Sequence, residues 1–200
     1  VKILPEDSWP RRDFRGIKVH GFDAMPTREV CEAARRFGLP ILVDVVSRPE
    51  VVDMLAPQYP DVTFIIPHLG SFTDDWRAHQ QVIYQIARYP NVYVDPSAVR
   101  QFDYLVQAVR RAGPRKLLFG SDGPWMHPGL ELHKIRLLGL PPEKEGLVLG
   151  GNMLRFLRRA RSGKAAAPVV RSVEIKANES VGESDRASQL TAADLSQYRL

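Results

Sequence analysis

The chain has 200 residues, 44% of them hydrophobic and 26% charged, with a net charge of +5 and a pI of about 9.5. That is enough apolar material for one core-bearing domain. Its mild basicity does not point to nucleic acid, because the cations fall as scattered pairs: Arg11–Arg12, Arg35–Arg36, Arg110–Arg111 and Arg158–Arg159. No aromatic residues interleave with them as base stacking requires, so they read as solvated helix faces. Cys31 is the single cysteine. It excludes an intramolecular disulfide and a cysteine-based metal site, and reads as a small buried hydrophobe in a helix. No apolar run approaches 18 residues and no signal peptide is visible, so no membrane partner is expected and a cytoplasmic location is the default.

Apolar runs then alternate with helical patterns. "RGIKVHGF" (15–22) reads as a strand. The helix after it has Thr27 as N-cap, a stripe of Glu29, Val30, Ala33, Ala34 and Phe37, and Gly38 as its stop. "PILVDVV" (40–46) is the second strand, and "RPEVVDMLAPQYP" a short helix ending near Pro57. "DVTFIIPHLG" (61–70) is the third strand, followed by a long helix through "FTDDWRAHQQVIYQIARYP". "NVYVDPSA" (91–98) is the fourth strand, "FDYLVQAVRRAG" a helix, and "RKLLFGSD" (115–122) a fifth strand.

Near-continuous apolar strands spaced by helices predict an α/β fold with a buried parallel sheet. Two architectures accept it: an open doubly wound sheet, or part of a (β/α)8 barrel. No strand end offers G-x-G-x-x-G or a Walker loop, which disfavours a nucleotide binder.

The strand ends carry polar residues in a consistent way. Lys18 and His20 end the first strand, Asp44 the second, His68 the third, Asp95 the fourth, and Ser121–Asp122 the fifth. In both parallel architectures chemistry collects at this carboxyl edge. Alternation puts Lys18 and His20 on one face and Ile17 and Val19 on the other. Imidazoles and carboxylates on converging strand ends are the donor set of zinc and similar divalent ions. A single histidine is more often structural, and Ser-Asp-Gly-Pro is also good turn chemistry; the convergence of several such residues favours a site. His79 and His133 read as surface residues, and His127 as lying off the pocket.

In the same order, "RGIKVHGF", "GLPILVD", "PDVTFIIPHLG", "NVYVDPSAV", "KLLFGSDGPW" and "LGGNMLRFL" resemble the amidohydrolase superfamily. The match is to its amidohydrolase-related group, which also includes metal-dependent decarboxylases, over about residues 14–158. "PHLG" and "FGSDGPW" are the specific segments. The resemblance implies a (β/α)8 barrel, of which this chain holds roughly strands four to eight, and a divalent metal, with zinc expected. It implies Asp122 as metal-linked carboxylate and general base, and His68 as a ligand or substrate-orienting group. His20 and Lys18 match the end of the fourth strand. Asp44 stands where the family often has a metal-binding histidine. Ser121 and Trp125 are expected to face a small-molecule substrate.

The His-x-His pair of the family's first strand occurs nowhere in this chain. A fragment, or a truncated relative completed by a partner, is therefore expected, with "VKILP" as a remnant of the third strand and weak metal binding by this chain alone. The barrel domain is expected to span residues 1–160 and a polar, flexible tail residues 161–200, with a short helix in "LTAADLSQYRL". The expected activity is metal-dependent hydrolysis of an amide, lactone or similar bond. Non-oxidative decarboxylation on the same scaffold is the alternative, and a non-catalytic half-barrel that binds or assembles is the second. A homo-oligomer or a completing N-terminal segment is the expected protein partner.

Overall fold

The structure is a computed structural model, and it describes residues 14–162. The segments "VKILP" and "LTAADLSQYRL", and nearly all of the expected tail, lie outside them.

Four strands, β1 (Ile17–His20), β2 (Ile41–Asp44), β3 (Phe64–Ile66) and β4 (Val92–Val94), form one parallel sheet in the order β1-β2-β3-β4. Helices α1 (Arg28–Phe37), α2 (Glu50–Gln58) and α3 (Trp76–Arg88) make the crossovers, and α4 (Phe102–Ala112) follows β4. Then come α5 (Pro128–Leu137), α6 (Pro142–Gly146), a π-helical turn Leu147–Gly151, and α7 (Asn152–Ser162). Among the described residues the sheet order never reverses, so they contain no switch point of the doubly wound kind. The fold is α/β, and its sheet is an arc of a (β/α)8 barrel.

Local sequence explains the punctuation. Thr27 accepts a hydrogen bond from the Val30 amide at 3.4 Å, and Gly38, at φ 63°, closes α1 on the carbonyls of Ala34 and Arg35. Asp75 caps α3 by accepting from the amides of Arg77 and Ala78. Pro57 lies inside the last turn of α2, which runs one residue past it to Gln58.

The strands are shorter than the sequence predicts, and the fifth is not a strand. Residues Pro114–Lys116 form a 3-10 turn, and pairing with β4 shrinks to an isolated Val94–Leu117 bridge. On one side the Leu118 amide still reaches the Val94 carbonyl at 2.8 Å. On the other, the partners are not a strand. The Phe119 amide donates to Val148 in the π turn at 2.9 Å, and Asn152 Nδ2 donates to the Leu117 carbonyl at 2.7 Å. The backbone of residues 117–119 thus divides its pairing between β4 and these non-strand partners, and no ladder extends along it.

The two sheet faces separate as parity demands. Val19, Ile41, Val43, Phe64, Ile66, Val92, Val94 and Leu117 join the main core with α1 to α4, and Cys31 is fully buried there. The opposite face presents Leu42, Ile65, Tyr93 and Leu118, covered by Met153 and Phe156 of α7. No described helix is long and apolar enough to cross a membrane.

Lys116 ties the amino edge together. Its Nζ donates to the carbonyls of Tyr89, Pro90 and Val92 at 2.7, 2.9 and 2.9 Å and lies 4.6 Å from the centre of the Tyr93 ring. Burial, and then the Arg155 charge, lower its pKa from 10.5 to about 8, while the three carbonyls favour the charged form. As pH rises from about 8 toward 10.5 the folded state sheds this proton first. The unfolded chain then binds more protons, and stability rises with pH across that window. Lys116→Met is expected to cost about 1–3 kcal/mol near neutral pH by orphaning the carbonyls. Thermal melts across the window should show the wild-type rise missing from the variant.

Candidate functional site

The carboxyl ends of β1 and β2 bring His20 and Asp44 together as register partners. His20 Nε2 lies 3.3 Å from Asp44 Oδ2. After β3 the chain turns through Pro67–Gly70, with both His68 (φ 55°) and Leu69 (φ 48°) in left-handed conformations. That turn sets His68 Nε2 at 3.9 Å from the same Asp44 Oδ2. Gly70 completes it at φ 91°; a Cβ there would sit 2.6 Å from Val82 Cγ2 on α3, so a side chain does not fit. Further non-glycine residues with positive φ are Val46, Ser47, Asp74 and Ala98, in segments that follow strand ends, and Asp122, after the bridged Leu117 segment. Such backbone costs on the order of 1–3 kcal/mol per residue, and its clustering marks an edge shaped for something other than stability.

The hydrogen bonds assign the protons. The Ser97 hydroxyl donates to Asp95 Oδ1 at 2.5 Å. His68 Nδ1 lies 3.1 Å from both the Ser97 carbonyl and Oγ, neither of which has a hydrogen to offer it. The His68 proton is therefore on Nδ1, and Nε2 presents a lone pair toward Asp44. His20 is the reverse: its Nδ1 accepts from the Phe22 amide at 3.3 Å, so Nε2 carries the hydrogen and donates to Asp44. One carboxylate thus meets two imidazoles in different tautomers. Asp44 is held from behind by the Val46 amide on Oδ1 at 3.0 Å.

Asp95 is buried, and burial raises its pKa against the opposing hydrogen bonds from Ser97 and the charge of His68. Gly120 makes room for it: a Cβ at Gly120 would lie 2.6 Å from Asp95 Cγ. The glycine before Ser121–Asp122 is needed for this close approach.

Asp44 Oδ2 and His68 Nε2 are two lone-pair donors facing each other. Ligand atoms at about 2.0–2.2 Å from one ion stand about 3–4 Å apart, so these two fit a divalent cation. The His68 Nδ1 hydrogen on a backbone carbonyl is the outer-shell arrangement such ligands have. His20 joins them only by giving up its Nε2 hydrogen. Among the described residues no three histidine, cysteine or acidic side chains already stand in ligand positions.

Among the described residues no hydrogen bond or ion pair joins the other expected site residues to these three. Lys18 is exposed, although on the same face as His20. Asp122, at φ 50°, accepts from the Met126 amide through its backbone carbonyl at 3.3 Å, and among the described residues its carboxylate makes no hydrogen bond or ion pair. Ser121 Oγ accepts from the Gly123 amide at 3.4 Å, and Trp125 is 75% exposed. The exposed His127 caps α5 by accepting from the Gly129 amide, and His133 is exposed as expected.

His79 is a correction. It is fully buried, with Nδ1 3.0 Å from the Leu69 carbonyl, directly behind the His68 turn. Its spacing to Val82, Ile83 and Ile86 puts it on the apolar stripe of α3, and that periodicity was the available signal. Ser97, Glu131 and Lys134 were not singled out by sequence either. Two aromatic rings flank the imidazoles: Phe22 stacks on His20 at 5.4 Å, and Phe72 stands edge-on to His68 at 5.3 Å.

Comparison with known proteins bears on the fold and the family. Among similar solved structures is an uncharacterised TIM-barrel protein from Bordetella bronchiseptica (22% identity, TM-score 0.56), covering 68% of this chain and 53% of that one. Another is a dihydroxybenzoic acid decarboxylase from a Polaromonas species with bound manganese and an inhibitor (14% identity, TM-score 0.52, 72% and 61% covered). A third is a probable 2-pyrone-4,6-dicarboxylic acid hydrolase from Acinetobacter baumannii with citric acid bound (14% identity, TM-score 0.58, 76% and 67% covered). The chain thus spans about half to two thirds of the length of these structures. A search of curated proteins finds no match. The amidohydrolase family model matches residues 2–159, most of the chain, and the protein belongs to that family.

Proposed function

We propose that this chain carries the carboxyl-edge part of a metal-dependent hydrolase site that opens an amide, lactone or similar bond. The observation behind this reading is the single Asp44 carboxylate oxygen within 3.3 Å of His20 Nε2 and 3.9 Å of His68 Nε2. Asp44 and His68 would hold the ion, with His20 as third donor. A divalent ion there supplies positive charge that acidifies water and polarises a carbonyl oxygen. Zinc suits the nitrogen and oxygen donors; the manganese of the Polaromonas neighbour makes that ion the alternative.

Asp122, in the turn after Leu118, would take the proton of the attacking water as general base. Lys18, Ser121 and Trp125 would meet the substrate from the rim. Among the described residues β1 pairs only with β2, which supports a completing segment or a second copy as the protein partner.

Decarboxylation is the second reading. The Phe22 and Phe72 rings beside the two imidazoles would suit a flat aromatic acid, the substrate type named for the Polaromonas neighbour. An assay of the metal-loaded protein against lactones, amides and aromatic acids separates the two by ring or amide opening against carbon dioxide release. Asp122→Asn is expected to lower kcat about 10²–10⁴-fold with metal content unchanged. An unaltered kcat would remove Asp122 from the mechanism. Neither activity in the loaded wild type would favour the non-catalytic assembly subunit.

A further inference from the structure

A second pair of charges lies buried beneath the site. Glu131 on α5 is 1% exposed, and Lys134, one turn on, has a side chain 14% exposed; their Oε2 and Nζ are 2.6 Å apart. Burying an ion pair costs several kcal/mol per ion unless further hydrogen bonds offset it. Here such bonds all go to one loop, while Glu131 Oε1 is buried without a partner among the described residues. Glu131 Oε2 accepts from the Ala98 amide at 3.3 Å. Lys134 Nζ donates to the Val99 carbonyl at 2.9 Å and the Pro96 carbonyl at 3.3 Å.

The gripped loop is under strain, with Ala98 at φ 61°. At its centre is Ser97, whose carbonyl and hydroxyl both lie 3.1 Å from His68 Nδ1. The three peptide groups held by the ion pair flank Ser97 on both sides.

We propose that Glu131 and Lys134 are positioning residues for His68. By fixing the Pro96–Val99 loop they keep the Ser97 carbonyl on Nδ1, which keeps the lone pair of His68 on Nε2. The tie to catalysis rests on the reading that Nε2 is the working nitrogen; the effect on the tautomer does not. A pair that served stability alone would leave the tautomer where it is in any variant that folds.

The test is nitrogen NMR of the His68 ring in the full chain, cleared of metal by a chelator and held at alkaline pH where imidazoles are neutral. Glu131→Leu with Lys134→Met removes both charges at similar volume, which avoids stranding a lone buried charge. In the folded double variant the ratio of Nε2–H to Nδ1–H is expected to rise about tenfold, the loss of roughly one well-placed hydrogen bond. Glu131→Gln alone keeps an acceptor for Ala98 and is expected to keep the wild-type ratio. An unchanged ratio in the double variant overturns the proposal. Should that variant not fold, Glu131→Gln with Lys134→Met keeps the acceptor for Ala98 and removes the donor to Val99 and Pro96, and the same two results decide it. No substrate enters the measurement, so a failed enzymatic reading and a failed positioning role are told apart.

Discussion

Phe156→Ala is expected to destabilise the domain by about 3–5 kcal/mol in denaturant unfolding, the range for truncating a buried aromatic. The reason is where the ring sits. The sheet face carrying Leu42, Ile65, Tyr93 and Leu118 is the one that points into a closed barrel, where other strands would fill it. Here α7 fills it. Phe156 is 3% exposed and meets Tyr93 edge-on at 4.6 Å, with Met153 beside it. Arg155 lies 6.0 Å from the Tyr93 ring and 5.4 Å from the Phe156 ring, adding cation–π contact at the rim. Three buried residues make up this cluster, so losing one leaves a cavity its neighbours cannot close. A cost below about 1 kcal/mol would mean that α7 does not cover this face in solution.

That helix also shows where sequence reasoning stops. The strand faces were legible, because Ile17 and Val19 alternate with Lys18 and His20, and the caps at Thr27 and Gly38 announce α1 outright. So was the carboxyl edge, since His20 and Asp44 fall at the ends of apolar runs. What the sequence does not carry is the partner of each run. "RKLLF" has the composition of a buried strand, yet its pairing with β4 stops at the Val94–Leu117 bridge, and Asn152 and Val148 occupy its other side. The same limit hid the site's inner arrangement. His68 reaches Asp44 only through two consecutive left-handed residues, which no local propensity predicts for His-Leu. His79 is legible as buried from its spacing to Val82, Ile83 and Ile86, against the surface position expected of it. Its buried Nδ1 is satisfied by the Leu69 carbonyl, a contact made ten residues away. Glu131 and Lys134 look like any exposed i,i+3 pair in sequence, and only the loop they grip distinguishes them.

Asp44→Asn is expected to abolish stabilisation of the protein by a divalent ion while leaving the fold intact. The amide oxygen can still accept from Val46, as Asp44 Oδ1 does at 3.0 Å, so the turn after β2 survives. The other position changes chemistry. An NH2 group there meets the Nε2 hydrogen of His20, a donor against a donor, where the carboxylate oxygen stood at 3.3 Å. It also withdraws the lone pair and the negative charge that make the Asp44–His68 gap attractive to a cation. In wild type, an ion that binds only the folded state at about 100 times its Kd adds about 2.7 kcal/mol. For a domain of this size that is a Tm rise of about 5–10 °C. Melts of both proteins with chelator, zinc and manganese read the difference directly. A rise in wild type that vanishes in Asp44→Asn makes this carboxylate a ligand, and the ion giving the larger shift at matched free concentration is the better occupant. An equal rise in both proteins would move the metal away from Asp44 and leave the His20–Asp44 pair as a structural contact. No rise in wild type with either ion would take metal chemistry away from this chain on its own, and turn attention to whatever completes the sheet beyond β1.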